Sequence, residues 1–182
     1  DILLIVRLGY VAIALGLPKV TSSSSVTYTY YEKLNNEKER LNKLKKVTYS
    51  NIMDLIKILN YNIEKDIHFY RITSALIPLA THPSVDWNYR KLFLEDIRIV
   101  GKIIRDNNMR VDTHPDQFNV INSIDEKVVE NTKRNLLFHV NLFKDMDYTQ
   151  GKMVIHVGSA AGGKEKALKR FIYYFAKLTR SL

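Results

Sequence analysis

Apolar and polar positions along the 182-residue chain alternate between short apolar runs and longer stretches with helical spacing, and the pair of patterns repeats four times. Ile2 to Leu8 is almost continuously apolar, the pattern of a parallel strand covered on both faces, and Gly9 and Tyr10 end it. After a Ser-rich loop at Thr21 to Ser25, the segment Tyr30 to Lys46 predicts a helix with its charges on solvent. Ser50 reads as a cap, and behind it Ile52, Leu55, Ile56 and Leu59 make one helical stripe, carried on by Tyr61 and Ile63. His68 to Thr73 predicts the second strand. Tyr89, Leu92, Phe93, Ile97, Val100 and Ile104 form the next stripe, closed by Asn107 and Asn108. Arg110 to Thr113 predicts the third strand, because Pro115 biases His114 away from helix and has no N–H to give to a ladder. Val128, Thr132, Leu136, Val140 and Phe143 mark a third stripe, Met153 to Val157 the fourth strand, and Leu168, Phe171, Ile172 and Phe175 a last helix.

Such alternation, with no hairpin signal between, argues for a parallel sheet with right-handed crossovers. A complete (β/α)8 barrel takes about 250 residues. The expected fold is therefore α/β, a partial TIM barrel made of the first four β/α units, with residues 1–182 as a single domain. Leu182 falls inside a helical pattern without a Gly stop, so a fragment of a longer protein is expected ahead of a small open sheet or a pair of copies. Exposed strand edges invite pairing with another chain, which makes self-association a further expectation.

A content of 46% hydrophobic and 26% charged residues argues against disorder. The absence of cysteine removes disulfides, thiolate metal sites and thiol nucleophiles together, leaving His, Asp and Glu as metal ligands. A net charge of +9 suits a polyanionic partner such as nucleic acid and equally suits a lysine-rich proteome. The apolar opening from Asp1 to Leu17 is interrupted by Arg7, Gly9, Gly16 and Pro18, so it reads as a buried strand, neither export signal nor membrane span. A cytoplasmic location is expected.

The candidate chemistry gathers where predicted strands end. His114 and His156 terminate the third and fourth strands, and His82 follows the second by one short loop. Ligands collect at the carboxyl ends of strands in parallel β/α folds, so three imidazoles there make a metal site the leading expectation. Asp112 and Asp116 are candidates to orient an imidazole. His139 and His68 read as structural. Manganese or magnesium would want carboxylate ligands too, and no carboxylate here ends a strand as His114 does, so those ligands are expected beyond Leu182. Gln117 and Phe118 are either a wedge that enters a base stack or a cover for the barrel mouth. Gly158 to Lys164 is glycine-rich and precedes a helix, suited to a phosphate contact, although its spacing is not that of a Walker A loop.

Four stretches taken in order resemble the UV damage endonuclease family, in its N-terminal half. They are Arg7-Leu8-Gly9-Tyr10, Tyr70 to Ser74 with Pro78 to Pro83, His114 to Phe118, and Ile155 to Gly158 followed by Gly163-Lys164. The resemblance implies a TIM barrel related to endonuclease IV, and an enzyme that nicks the DNA backbone 5′ to pyrimidine dimers and related lesions. It implies a divalent metal cluster, manganese first and magnesium or zinc as alternatives, with His114 and His156 as ligands and His82 as an active-site imidazole or third ligand. Gln117 and Phe118 would probe the duplex, Tyr10 would line the lesion pocket, and Lys164 would meet DNA. Family members usually carry an Asn after the Gly-Tyr step, where this chain has Val11 to Ala14. Without the second half of the barrel the chain alone is expected to be inactive. Rival expectations are a metal-dependent sugar isomerase or epimerase on a similar barrel, and a non-catalytic DNA-binding paralogue.

Overall fold

Four parallel strands in the order β1-β2-β3-β4 form one sheet in the computed structural model, which describes residues 6–116 and 118–179, the last by its backbone alone. The strands are β1 (Gly9–Val11), β2 (Phe69–Ile72), β3 (Arg110–Thr113) and β4 (Lys152–Met153). Between and after them run α1 (Tyr28–Glu32), α2 (Glu37–Glu64), α3 (Tyr89–Asp106), α4 (Glu126–Asp145) and α5 (Lys164–Thr179). Sequential neighbours that are all parallel require crossovers, and the helices supply them.

Period-two alternation divides the sheet into two chemically different faces. Tyr70, Ile72 and Val111 are buried on the face covered by helices, where Ile52, Leu55, Ile58 and Leu59 of α2, Val100 and Ile104 of α3, and Phe138 and Leu142 of α4 complete the core. The in-between positions Phe69, Arg71, Arg110 and Asp112, with Arg7 and Val154, line an open hollow of about 490 Å³ on the other face. Register sets Arg71 directly beside Asp112, and the two make a bidentate pair with Nε–Oδ1 at 2.6 Å and Nη2–Oδ2 at 2.9 Å.

Local chemistry corrects the expected boundaries in three places. The first strand begins at Gly9, where the apolar run was expected to stop; Ile2 to Ile5 lie outside the described residues. Pairing with β2 fixes this register, and Gly9 is needed in it because a Cβ there would come within 2.2 Å of the Phe69 ring. The expected break at Ser50 does not occur: α2 runs through it, since an exposed serine costs a helix little. The break falls earlier, where Asn36 caps α2 by accepting the Glu39 N–H at 3.0 Å and Glu39 reaches back to the Asn35 N–H at 3.3 Å. The fourth strand, expected over Met153 to Val157, is Lys152–Met153 and keeps only Met153 of that span, with Val154 N–H still donating to Thr113 O at 2.9 Å. Among the described residues no helix is long and apolar enough to cross a membrane.

Candidate metal centre

Two imidazoles meet above the carboxyl ends of adjacent strands. His114 Nε2 lies 3.1 Å from His156 Nε2, with ring centroids 5.0 Å apart and planes inclined by 65°. Strand geometry delivers them there: the Thr113–Val154 bond is the last rung between β3 and the segment after β4, and each histidine follows within two residues. His114 is half-buried and His156 exposed. A neutral imidazole has one N–H and one lone pair, so two Nε2 atoms at this distance share a proton or turn their lone pairs to a common cation. The pair thus supplies two nitrogen donors of the borderline type that Zn, Fe, Ni and Cu accept, and Mn would need oxygen donors beside them.

His82 does not join them. Its ring stacks on Tyr28 with centroids 4.1 Å apart and planes 17° apart, its Nδ1 accepts the Ser84 N–H at 3.2 Å, and it makes no hydrogen bond or ring contact with either other histidine. The turns of its loop, His82 N–H to Leu79 O at 3.2 Å and Val85 N–H to His82 O at 3.1 Å, hold it against Tyr28. Among the described residues no group of three His, Asp or Glu side chains is placed to hold a metal ion. The carboxylates expected to orient an imidazole are engaged otherwise. Asp112 is held by Arg71, and Asp116 Oδ1 accepts the Phe118 N–H at 2.8 Å to close its own turn.

The UV-endonuclease UvdE family model matches residues 6–182. The chain belongs to this family. It is 38% identical over 176 residues to the UV DNA damage endonuclease of Bacillus mycoides, covering 96% of this chain and 55% of that protein. It is 32% identical over 179 residues to the UV DNA damage endonuclease of Halalkalibacterium halodurans, covering 97% of this chain and 56% of the relative. The crystal structure of SacUVDE superposes with a TM-score of 0.85 at 35% identity, over 94% of this chain and 56% of that one. The chain therefore spans about half the length of the curated relatives it matches.

The other positions that resemble UvdE motifs differ in their surroundings. Phe118 is 78% exposed, and Gln117 lies outside the described residues. Tyr10, expected at a lesion pocket, turns to the helix-covered side: its hydroxyl donates to Asn62 Oδ1 at 2.6 Å and its ring meets Tyr70 edge-on at 5.3 Å. Lys164 is exposed at the start of α5. Of the N–H groups in the glycine-rich loop before it, that of Gly163 is already given to Ala160 O at 3.0 Å.

His139 is buried at 1% exposure, as its helical stripe foretold. Burial lowers its pKa from 6.5 to about 4, and the nearby His114 pushes the same way. The unfolded chain therefore takes up a proton that the folded chain refuses. Stability from this group is complete above pH 6.5 and is lost as pH falls toward about 4. Replacing His139 by Leu is expected to flatten that part of the urea-unfolding profile, a difference of about 3 kcal/mol between pH 7 and pH 4. An unchanged slope between the two proteins would contradict it.

Proposed function

We propose that this chain is the first four β/α units of a (β/α)8 barrel and the N-terminal half of a metal-dependent DNA repair endonuclease that nicks 5′ to UV photoproducts. The observation that carries this reading is the Nε2–Nε2 approach of His114 and His156 at the strand ends. The names of its relatives support DNA as the substrate, and the net charge of +9 suits a polyanion.

In this reading His114 and His156 hold a divalent metal, manganese first, with the remaining ligands coming from the second half. A metal held by His114 and His156 would supply positive charge against the charge that develops on the phosphate. His82, stacked on Tyr28, stays an active-site imidazole outside the pair. Phe118, with its exposed ring, and Gln117 enter the stack at a lesion, where unstacking is cheapest. Lys164 meets a backbone phosphate. Tyr10 is left out of this contact set because its hydroxyl is engaged by Asn62. Alone, the 182-residue chain cuts nothing, and its open edges at β1 and β4 favour self-association.

The test uses full-length protein and a duplex carrying one site-defined pyrimidine dimer, with Mn2+. A nick immediately 5′ to the dimer, absent from undamaged duplex and abolished by EDTA, is expected. Equal cutting of both duplexes, or none of either, would overturn the proposal. Interconversion of small sugars without any effect on DNA would favour the isomerase reading.

A further inference from the structure

The two loops that carry the imidazoles are joined by an asparagine. Beyond the Thr113–Val154 rung no backbone bond connects them among the described residues, so the ladder does not set the separation of His114 and His156. The Asn122 side chain does bridge them. Its Oδ1 accepts the Ser159 N–H at 2.8 Å, and its Nδ2 donates to Ser159 O at 2.8 Å and to Ala167 O of α5 at 3.1 Å. This takes up both the N–H and the C=O of one residue, as a ladder partner would, but with a side chain where the strands can no longer do so.

Three further observations show that the clasp is built in. Asn122 has 0% exposure, so every bond it loses leaves a buried polar group unpaired. Arg170 of α5 bonds Asn122 O through Nε at 3.1 Å and Ala161 O through Nη2 at 2.6 Å, locking both sides from behind. Gly158 has φ +97°, and a Cβ there would fall 2.6 Å from Asn122 Oδ1 and 2.8 Å from Val120 Cγ1. A side chain at 158 is excluded by conformation and by space, and that residue sits between His156 and Ser159.

We infer that Asn122 is a positioning residue for the His114–His156 pair, holding the two loops at the spacing that lets both nitrogens reach one metal site. The inference rests on the metal reading above, but its geometric part does not need it. Asn51 provides a matched control. It too has 0% exposure, and it clasps a distant loop in the same way, taking the Ser24 N–H at 3.0 Å and giving to Ser24 O at 2.9 Å.

The experiment compares full-length wild type, Asn122→Ala and Asn51→Ala by Co2+ titration, by the visible spectrum of bound Co2+, and by crystal structures of the metal-free proteins. Both variants are expected to lose thermal stability. Only Asn122→Ala is expected to weaken Co2+ binding, by about 10- to 100-fold, to change the spectrum and to widen the imidazole separation. Asn122→Asp, which keeps the acceptor and loses the donated bonds, carries the same expectation if Asn122→Ala does not fold. Wild-type Co2+ affinity and an unmoved imidazole pair in either Asn122 variant would overturn the inference. Should wild type itself take up no Co2+, the metal reading fails, and the separation in the metal-free crystals still decides whether Asn122 positions the pair.

Discussion

His114→Ala in the full-length protein is expected to lower nicking of irradiated duplex by about a thousandfold or more, the scale of losing one charge-stabilising group from a catalytic site. The reason is the geometry of the pair: with one nitrogen gone, His156 Nε2 has no partner 3.1 Å away and a shared metal loses one of the two nitrogen donors this chain supplies. His156→Ala should fall by a similar factor. The double variant should be little worse than either, because groups that act as a unit do not add. Folding should hardly change, since His156 is exposed, His114 half-buried and neither fills the core. Single-turnover cleavage beside a urea melt separates these effects. Wild-type turnover in a folded His114→Ala protein would end the assignment of this pair as the metal centre.

Where sequence reading succeeded, a local rule was strong enough to act alone. Pro115 stops a ladder whatever surrounds it, and β3 has the bounds Arg110–Thr113 that this rule predicts. The stripe from Tyr89 to Ile104 likewise became α3, with Phe93, Ile97, Val100 and Ile104 buried. The failures came where two local rules competed or where a distant residue decided. Ser50 reads as a cap by residue type alone, whereas the cap of α2 is Asn36, fixed by the bonds that Glu39 makes to Asn36 Oδ1 and to the Asn35 N–H. His82 shares its place after a strand with His114 and His156, but its neighbour is Tyr28, 54 positions earlier in the chain, and nothing in its own loop announces that stack. Asn122 carried no signal at all. A buried asparagine in a loop is legible only once the opposing backbone is known, and Ser159 comes from another β/α unit.

Asp112→Ala is expected to cost about 3 kcal/mol of folding stability, the lower end of what breaking one side of a buried ion pair costs. Asp112 is 3% exposed, and both its oxygens are taken by Arg71. Hydrogen bonding to Asp112 raises the Arg71 pKa in the intact protein, and even without that partner a guanidinium stays charged, so Arg71 cannot escape the loss by giving up a proton. It would be left facing a hollow that already holds Arg7 and Arg110. The lower end of the range applies because the Arg71 side chain is 24% exposed and can recruit water. Arg71→Met combined with Asp112→Leu should recover most of the loss, since an apolar pair of similar volume does not carry the desolvation cost. Register extends the effect to the site. Arg71 and Asp112 are direct partners across β2 and β3, and Asp112 is two residues from His114. Asp112→Ala should therefore also reduce nicking under conditions where it remains folded, while the apolar double variant, with the strands again packed together, regains it. Urea unfolding at neutral pH measures the first effect and single-turnover cleavage the second. A stability change within about 0.5 kcal/mol for Asp112→Ala, the range of an ordinary surface substitution, would show that the pair is not what joins these two strands on their open face.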